Sequence, residues 1–348
     1  MKSANLTASR IFSSKPSTKF GILNMKQVVF LGIFAALSPL ASAHAVVLEQ
    51  KWTPGQDLNY QTVLRGTMNV QAPASANFML AGVPLDVEIR GDGIAQLKTL
   101  SVDGAGVGTV AVRVPQFDLQ AETWGQKGQM TLSENSSKFS LNGKAIKLGD
   151  GTNPLGNAQN ALRISRQGRV IGVQNLAPKT PVAAKTDDEP VDVASAINKG
   201  ALMTAAILRA LPTLWPGRDI APGESWKAQV NFPVASPTDP KKVTPTQFGE
   251  WNLTLKGAET VAGRQLQRVG VVGSLSVDSA QFAVPTAKAP RGVAKQDVSG
   301  DLWLDAANGQ IARAVLVVGA RVEGGKGTKD ASHADFTGTL QLNLKGAA

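Results

Sequence analysis

Ser225-Trp226-Lys227-Ala228-Gln229-Val230-Asn231-Phe232 reads as an extended strand with two unlike faces. Side chains alternate across a strand, so Trp226, Ala228, Val230 and Phe232 share one side while Ser225, Lys227, Gln229 and Asn231 share the other. Glu250-Trp251-Asn252-Leu253-Thr254-Leu255-Lys256 keeps the same beat, and so does the run from Phe336 to Lys345. Tyr60 to Gln71 is a fourth such stretch, and a fifth opposes Leu85, Val87 and Ile89 to Asp86, Glu88 and Arg90. A strand covered on both faces would be apolar throughout, whereas strict alternation leaves one face dry and one wet, the habit of antiparallel sheets. Turn chemistry agrees. Asn308-Gly309 separates Asp301–Asp305 from the apolar run Gln310–Val318, a strong hairpin signal because both residues tolerate positive φ. Asn142-Gly143, Gln167-Gly168 and Ala262-Gly263 punctuate other strand pairs.

The expected fold is therefore mainly β: a large antiparallel curved sheet, or more than one, built as a half-barrel or sandwich with one central helix at about 192–211. That helix breaks the two-residue period. Val193, Ile197, Gly200, Ala201, Thr204, Ile207, Leu208 and Leu211 fall on one broad helical stripe, with Asp192 as N-cap and Pro212 as its stop. The Pro-, Ala- and Lys-rich stretch from Leu176 to Pro190 reads as a linker. The chain thus divides into a β half at 46–176, a linker with the helix at 177–216 and a second β half at 217–348. Pro54-Gly55 and Pro222-Gly223 each precede an entering strand, which makes the halves candidates for a distant repeat.

Residues 1–45 carry Lys2, Arg10, Lys15, Lys19 and Lys26 and no acid, then an apolar run from Val28 to Leu37, Pro39 and the small-residue ending Ala41-Ser42-Ala43-His44-Ala45. This is the pattern of a signal peptide cleaved after Ala43 or Ala45, with Met25 as the expected start. The run is too short for a stable membrane span, which needs about 20 apolar residues. Export to the periplasm or the medium is expected. Removing 1–45 takes five of the 36 basic residues and leaves 31 against 26 acidic, so the net charge of +10 overstates the basicity, and no nucleic-acid partner is expected. With no cysteine in the chain, an exported protein of this length must be held by its core alone, and no lipid-anchoring cysteine is available.

The side chains also limit the chemistry. Outside 1–45 the only histidine is His333, which excludes multi-histidine metal sites within one chain, and no Gly-x-Ser-x-Gly elbow supplies a nucleophile for a triad. Asp187, Asp188, Glu189 and Asp192 lack calcium-loop spacing and read as solvated linker. Asp301 and Asp305 flank Trp303 on one strand face, about 13 Å apart at normal strand rise, too far for paired glycosidase carboxylates. The glycines of 319–327 and 104–108 lack the helix a phosphate loop requires. Arg163, Arg166 and Arg169 around Gln167-Gly168 read as a charged hairpin tip. No catalytic residue, metal ligand or cofactor is assigned.

The apolar helix must bury its stripe. It either closes the β core or sits in the concave face of a curved sheet above a cavity for an apolar ligand, lined by Ile207, Leu208, Leu211, Trp215 and Trp226. The Pro222-Gly223-Glu224-Ser225-Trp226 opening, the Gly300-Asp301-Leu302-Trp303-Leu304-Asp305 strand and the Asn308-Gly309 hairpin resemble those of uncharacterised exported bacterial β-proteins. In outline the chain is also similar to the periplasmic lipoprotein carriers, a resemblance that implies a half-open barrel sheltering acyl chains beneath helices. The expected function is a non-catalytic envelope protein that binds a lipid or other amphipathic ligand. A structural or protein-interaction module of the envelope is the second reading, and a carboxylate-dependent hydrolase the third.

Overall fold

The computed structural model describes residues 45–71, 84–146, 153, 156, 160–176, 206–235, 243–278, 293–324 and 332–345. They form sixteen strands: β1 (Val46–Leu48), β2 (Asp57–Gln71), β3 (Pro84–Val102), β4 (Gly108–Thr123), β5 (Gln126–Ser133), β6 (Ser136–Leu141), β7 (Lys144–Ile146), β8 (Asn160–Ile164), β9 (Val170–Asn175), β10 (Arg218–Ile220), β11 (Ser225–Ala235), β12 (Val243–Val261), β13 (Arg264–Asp278), β14 (Val293–Asp305), β15 (Gln310–Gly324) and β16 (Ser332–Leu344). Fourteen of them make one antiparallel sheet in the order β11-β12-β13-β14-β15-β16-β2-β3-β4-β5-β6-β7, with β8 and β9 branching from β4; β1 and β10 form a separate ribbon. The mainly β, antiparallel reading holds. The two halves of the chain are not separate sheets, because β16 pairs with β2 from His333↔Gln71 to Leu344↔Tyr60.

The alternation has a direct structural consequence. One registered row runs Trp226–Leu253–Val271–Gly300–Leu316–Leu340–Leu64–Gly91–Leu119–Met130–Phe139 across eleven strands, and every position in it is apolar or glycine. Its non-glycine members belong to one buried cluster. A sheet this wide with one dry face must curl around that face. Glycines let it do so under aromatic rings. A β-carbon at Gly273 would stand 2.6 Å from Trp251 Cδ1, one at Gly66 2.7 Å from Phe336 Cε2 and one at Gly91 2.6 Å from Phe117 Cζ, so each ring lies flat over bare backbone.

The curl nearly closes. β4 divides, pairing with β8 through Gly108–Ala111 and with β5 through Phe117–Thr123. On the β8 side, β9 comes against β11 at the far edge of the sheet. No pairing joins β9 to β11 among the described residues, and the sheet is not closed into a barrel.

The two ends of this trough differ. At one end lie the tight turns 262–263 and 306–309, and here the β1 segment crosses as a strap. Gln50 N donates to Arg166 O at 3.0 Å, Lys51 Nζ to Ala307 O at 3.0 Å and Gly217 N to Leu48 O at 3.0 Å. Trp52 seals the same end against Gly108, where a β-carbon would overlap its ring. Residues 206–210 are helical and continue as a 3₁₀ turn, Leu211–Thr213. Pro212 therefore lies inside the final turn instead of ending the helix before it; at the start of a 3₁₀ turn its missing N–H leaves no bond unmade. At the opposite end the connections 72–83, 236–242, 279–292 and 325–331 leave the sheet, all outside the described residues. The expected signal segment, the linker, the acidic cluster at 187–192 and the helix before residue 206 also lie outside them.

Candidate ligand-binding interior

The five residues expected to line a cavity do come together. Ile207, Leu208, Leu211, Trp215 and Trp226 are all buried in the main core cluster, alongside Leu48 and Ile220 of the β1–β10 ribbon. Trp226 Nε1 donates to Leu214 O at 2.8 Å, which ties the start of β11 to the turn after the helix. Gly168, at φ +68°, brings the β8–β9 turn against Thr213 and Trp215; a β-carbon there would lie 2.8 Å from the Thr213 carbonyl. These groups plug the strap end of the trough. Burial among them also opposes the charge on Arg209 and pulls its pKa below the ordinary guanidinium value.

Partly buried apolar side chains rim the core at both ends of the trough, Val46 and Leu344 toward the strap and Val70, Leu141, Ala334 and Phe336 away from it. In the same registered row as Phe336 sits Gln296, on the dry side of β14. Its register neighbours are Leu275 on β13 and Ala320 on β15, followed outward by Gly249 and Phe336. Gln296 is fully buried, yet neither its Oε1 nor its Nε2 has a hydrogen-bond partner among the described residues. Two strands away, Trp251 is likewise fully buried with Nε1 unpartnered, its ring lying over Gly273 toward β14. Gln96 provides the contrast. It is also buried, but it accepts from Arg113 Nε and donates to Asn59 Oδ1 at 3.0 Å.

Sequence reading missed Gln296, although a signal for it is present. In Val293-Ala294-Lys295-Gln296-Asp297-Val298 the dry parity carries Ala294, Gln296 and Val298, so a glutamine stands where the alternation requires an apolar residue. Trp251 shows no comparable signal, because tryptophan suits a core position and only the packing reveals that its N–H is unanswered.

The outer face holds the charged constellations. Trp303 lies on the wet side of β14, as its parity implies, but it is 8 % exposed because Arg268 and Arg313 stand over it at 5.6 and 4.9 Å from the ring centroid. Trp303 Nε1 donates to Glu259 Oε2 at 3.2 Å. Arg268 donates to Asp301 at 2.8 Å, Lys256 to Asp301 at 2.7 Å and Arg264 to Asp305 at 2.7 Å. Burial works to raise the pKa of Asp301, but the bonds and charges of Arg268 and Lys256 outweigh it and hold the carboxyl below its ordinary range. Asp301 and Asp305 are thus committed to ion pairs. His333 lies in β16, opposite Glu323 and Gln71, with Nε2 4.0 Å from Asp335. Arg163 pairs with Asp103 at 3.0 Å, beside the turn in which Asp103 Oδ1 accepts from Ala105 N and Val107 N at 3.0 Å each. Among the described residues no cluster of three or more acids and histidines could hold a metal, and no helix is long and apolar enough to cross a membrane.

The interior therefore offers one continuous apolar surface, filled at the strap end, in which the described residues leave several neutral polar groups unanswered, Gln296, Trp251, Trp215 and Trp52 among them. Comparison of the chain with known protein families and with curated proteins finds no match to either.

Proposed function

We propose that this is a non-catalytic, exported envelope protein that holds an apolar or amphipathic ligand against its concave sheet. The observation that supports this most directly is the continuous apolar face itself, whose margins carry side chains that the core covers only in part, Val70, Leu141, Ala334 and Phe336 among them. Apolar side chains on the dry side of an antiparallel sheet are ordinarily covered, and an uncovered group of them beside a core marks a binding surface. The charged groups that could serve acid–base chemistry lie on the convex face in ion pairs, away from this surface. Export follows from the basic and apolar leader, and β1 begins at Val46, directly after the expected cleavage site.

Native mass spectrometry and lipid extraction of protein purified from its own host test the binding. A co-purifying amphiphile is expected. Its absence, together with no uptake of the fluorescent probe N-phenyl-1-naphthylamine, would reject the reading. N-terminal sequencing of the purified protein tests export: His44 or Val46 is expected as the first residue, and a chain that still begins at Met1 or Met25 would count against it.

A second reading, an envelope interaction module, rests on the outer face. Val272 and Val317 are exposed and lie in one registered row, Asn252–Val272–Ser299–Val317–Thr339, with Phe248 exposed nearby on β12. In vivo cross-linking separates the two readings: one dominant stoichiometric neighbour linked through this row favours the module.

A further inference from the structure

Gln296 presents a problem that an apolar ligand alone does not solve. A primary amide in a dry interior loses its hydrogen bonds to water, and leaving its donor and acceptor unanswered is costly. Native proteins pair nearly all such groups, so a fully buried glutamine with both amide atoms unpartnered calls for a partner. The sheet provides none. Flanking positions in its row are Leu275 and Ala320, and the next are Gly249 and Phe336, all without a side-chain polar group. Two strands over, Trp251, whose ring covers Gly273, has its Nε1 in the same condition, as do Trp52 and Trp215 at the strap end, but of these three only Trp251 lies on a strand of the sheet within one dry row of Gln296. Gln296 supplies one acceptor and a two-proton donor, and Trp251 one further donor. Neither carries charge.

We propose that Gln296, together with Trp251, is the recognition point for the polar end of the bound amphiphile, and that this end is an uncharged group able both to donate and to accept, such as a primary amide. The inference rests on the ligand-binding reading above and specifies it. The tail lies along Val70, Phe336, Ala334 and Leu141, and the head turns inward to the amide of Gln296. A charged head is disfavoured, since no ionic partner faces Gln296 in its registered row and burying an unpaired charge costs far more than burying an amide. The arrangement therefore selects by hydrogen bonding in an otherwise apolar site, where an analogue lacking the matching group leaves buried protein atoms unpaired.

The test uses the mature protein and three probes: N-phenyl-1-naphthylamine as a reporter of apolar uptake, decanamide, and N,N-dimethyldecanamide, which keeps the acceptor and loses both donors. Displacement of the reporter from wild-type protein should favour decanamide over its dimethyl analogue about tenfold, the worth of one well-made hydrogen bond. In Gln296→Met, similar in volume and without hydrogen-bonding groups, the preference of decanamide over its dimethyl analogue should fall to about one. The ligand-free variant should melt a few degrees higher, because an unanswered buried amide has been removed. Gln296→Leu gives the same comparison should the methionine variant fold poorly. Equal affinity of wild type for the two amides overturns the inference and leaves a buried water as the partner of Gln296. A preference that persists in both variants overturns it as well, since it would then arise from the bulk of the dimethyl group. Failure of wild type to take up the reporter at all removes the ligand-binding reading, and this inference with it.

Discussion

At the residue scale, the outer face around Trp303 shows how a charged network covers a large ring on the wet side of a strand. Asp301 accepts from both Arg268 and Lys256, and its side chain is only 19 % exposed, so the pairs are better shielded than ordinary surface bridges. Asp301→Asn is expected to lower stability at pH 7 by about 1–2 kcal/mol. The folded-state pKa lies below that of the unfolded chain, so this contribution is complete above the unfolded value near 4 and is lost as pH falls through the folded value. The deficit of the variant should accordingly shrink in melts run below about pH 4; a deficit independent of pH would contradict the ion-pair account. Trp303 at this place was readable from parity, because Asp301, Trp303 and Asp305 share the wet side of one strand. Its coverage was not. That depended on β13 and β15 bringing Arg268 and Arg313 into register with it.

At the element scale, two features decide the shape of the trough. The helical turn 206–213 is held to β11 by the bond from Trp226 Nε1 to Leu214 O. Trp226→Phe keeps most of the ring and deletes the donor, leaving a buried carbonyl short of a partner. It should cost about 2 kcal/mol in urea unfolding, with faster amide exchange confined mainly to 206–215. Curvature is the second feature. Gly66 and Gly338 face each other on β2 and β16 beneath the ring of Phe336, and a β-carbon at Gly66 would stand 2.5 Å from Thr337 O. Gly66→Val should therefore destabilise by more than about 2 kcal/mol, while Thr67→Val on the wet side should shift stability by under about 0.5 kcal/mol in the same thermal assay. The strands at 60–71, 85–90, 225–232, 250–256 and 336–345 and the turns at 142–143 and 262–263 were visible in the sequence. Asn142 and Gly143 adopt the positive φ their types suggested, at 50° and 77°, whereas Ala262 takes 49° against its type, beside Gly263 at 79°. The glycine–aromatic pairs were not visible, because a ring and the glycine it covers sit on different strands.

At the scale of the whole molecule, the pairing of β16 with β2 merges what read as two halves into one sheet with a common core. Unfolding should be a single transition, with tryptophan fluorescence and far-ultraviolet circular dichroism giving coincident denaturation curves. Two resolved transitions would show that the halves fold independently. The amino-acid sequence alone determined the fold class, the antiparallel pairing and which side of each strand is dry, since these follow from a two-residue polar–apolar period and local turn chemistry. Only the tertiary structure decided that the dry sides join into one trough, that Ile207, Leu208, Leu211, Trp215 and Trp226 plug one end of it, and that Gln296 and Trp251 meet no partner inside. The reason is physical: periodicity is set by neighbours along the chain, whereas closure, plugging and hydrogen-bond satisfaction are set by groups that only folding brings together.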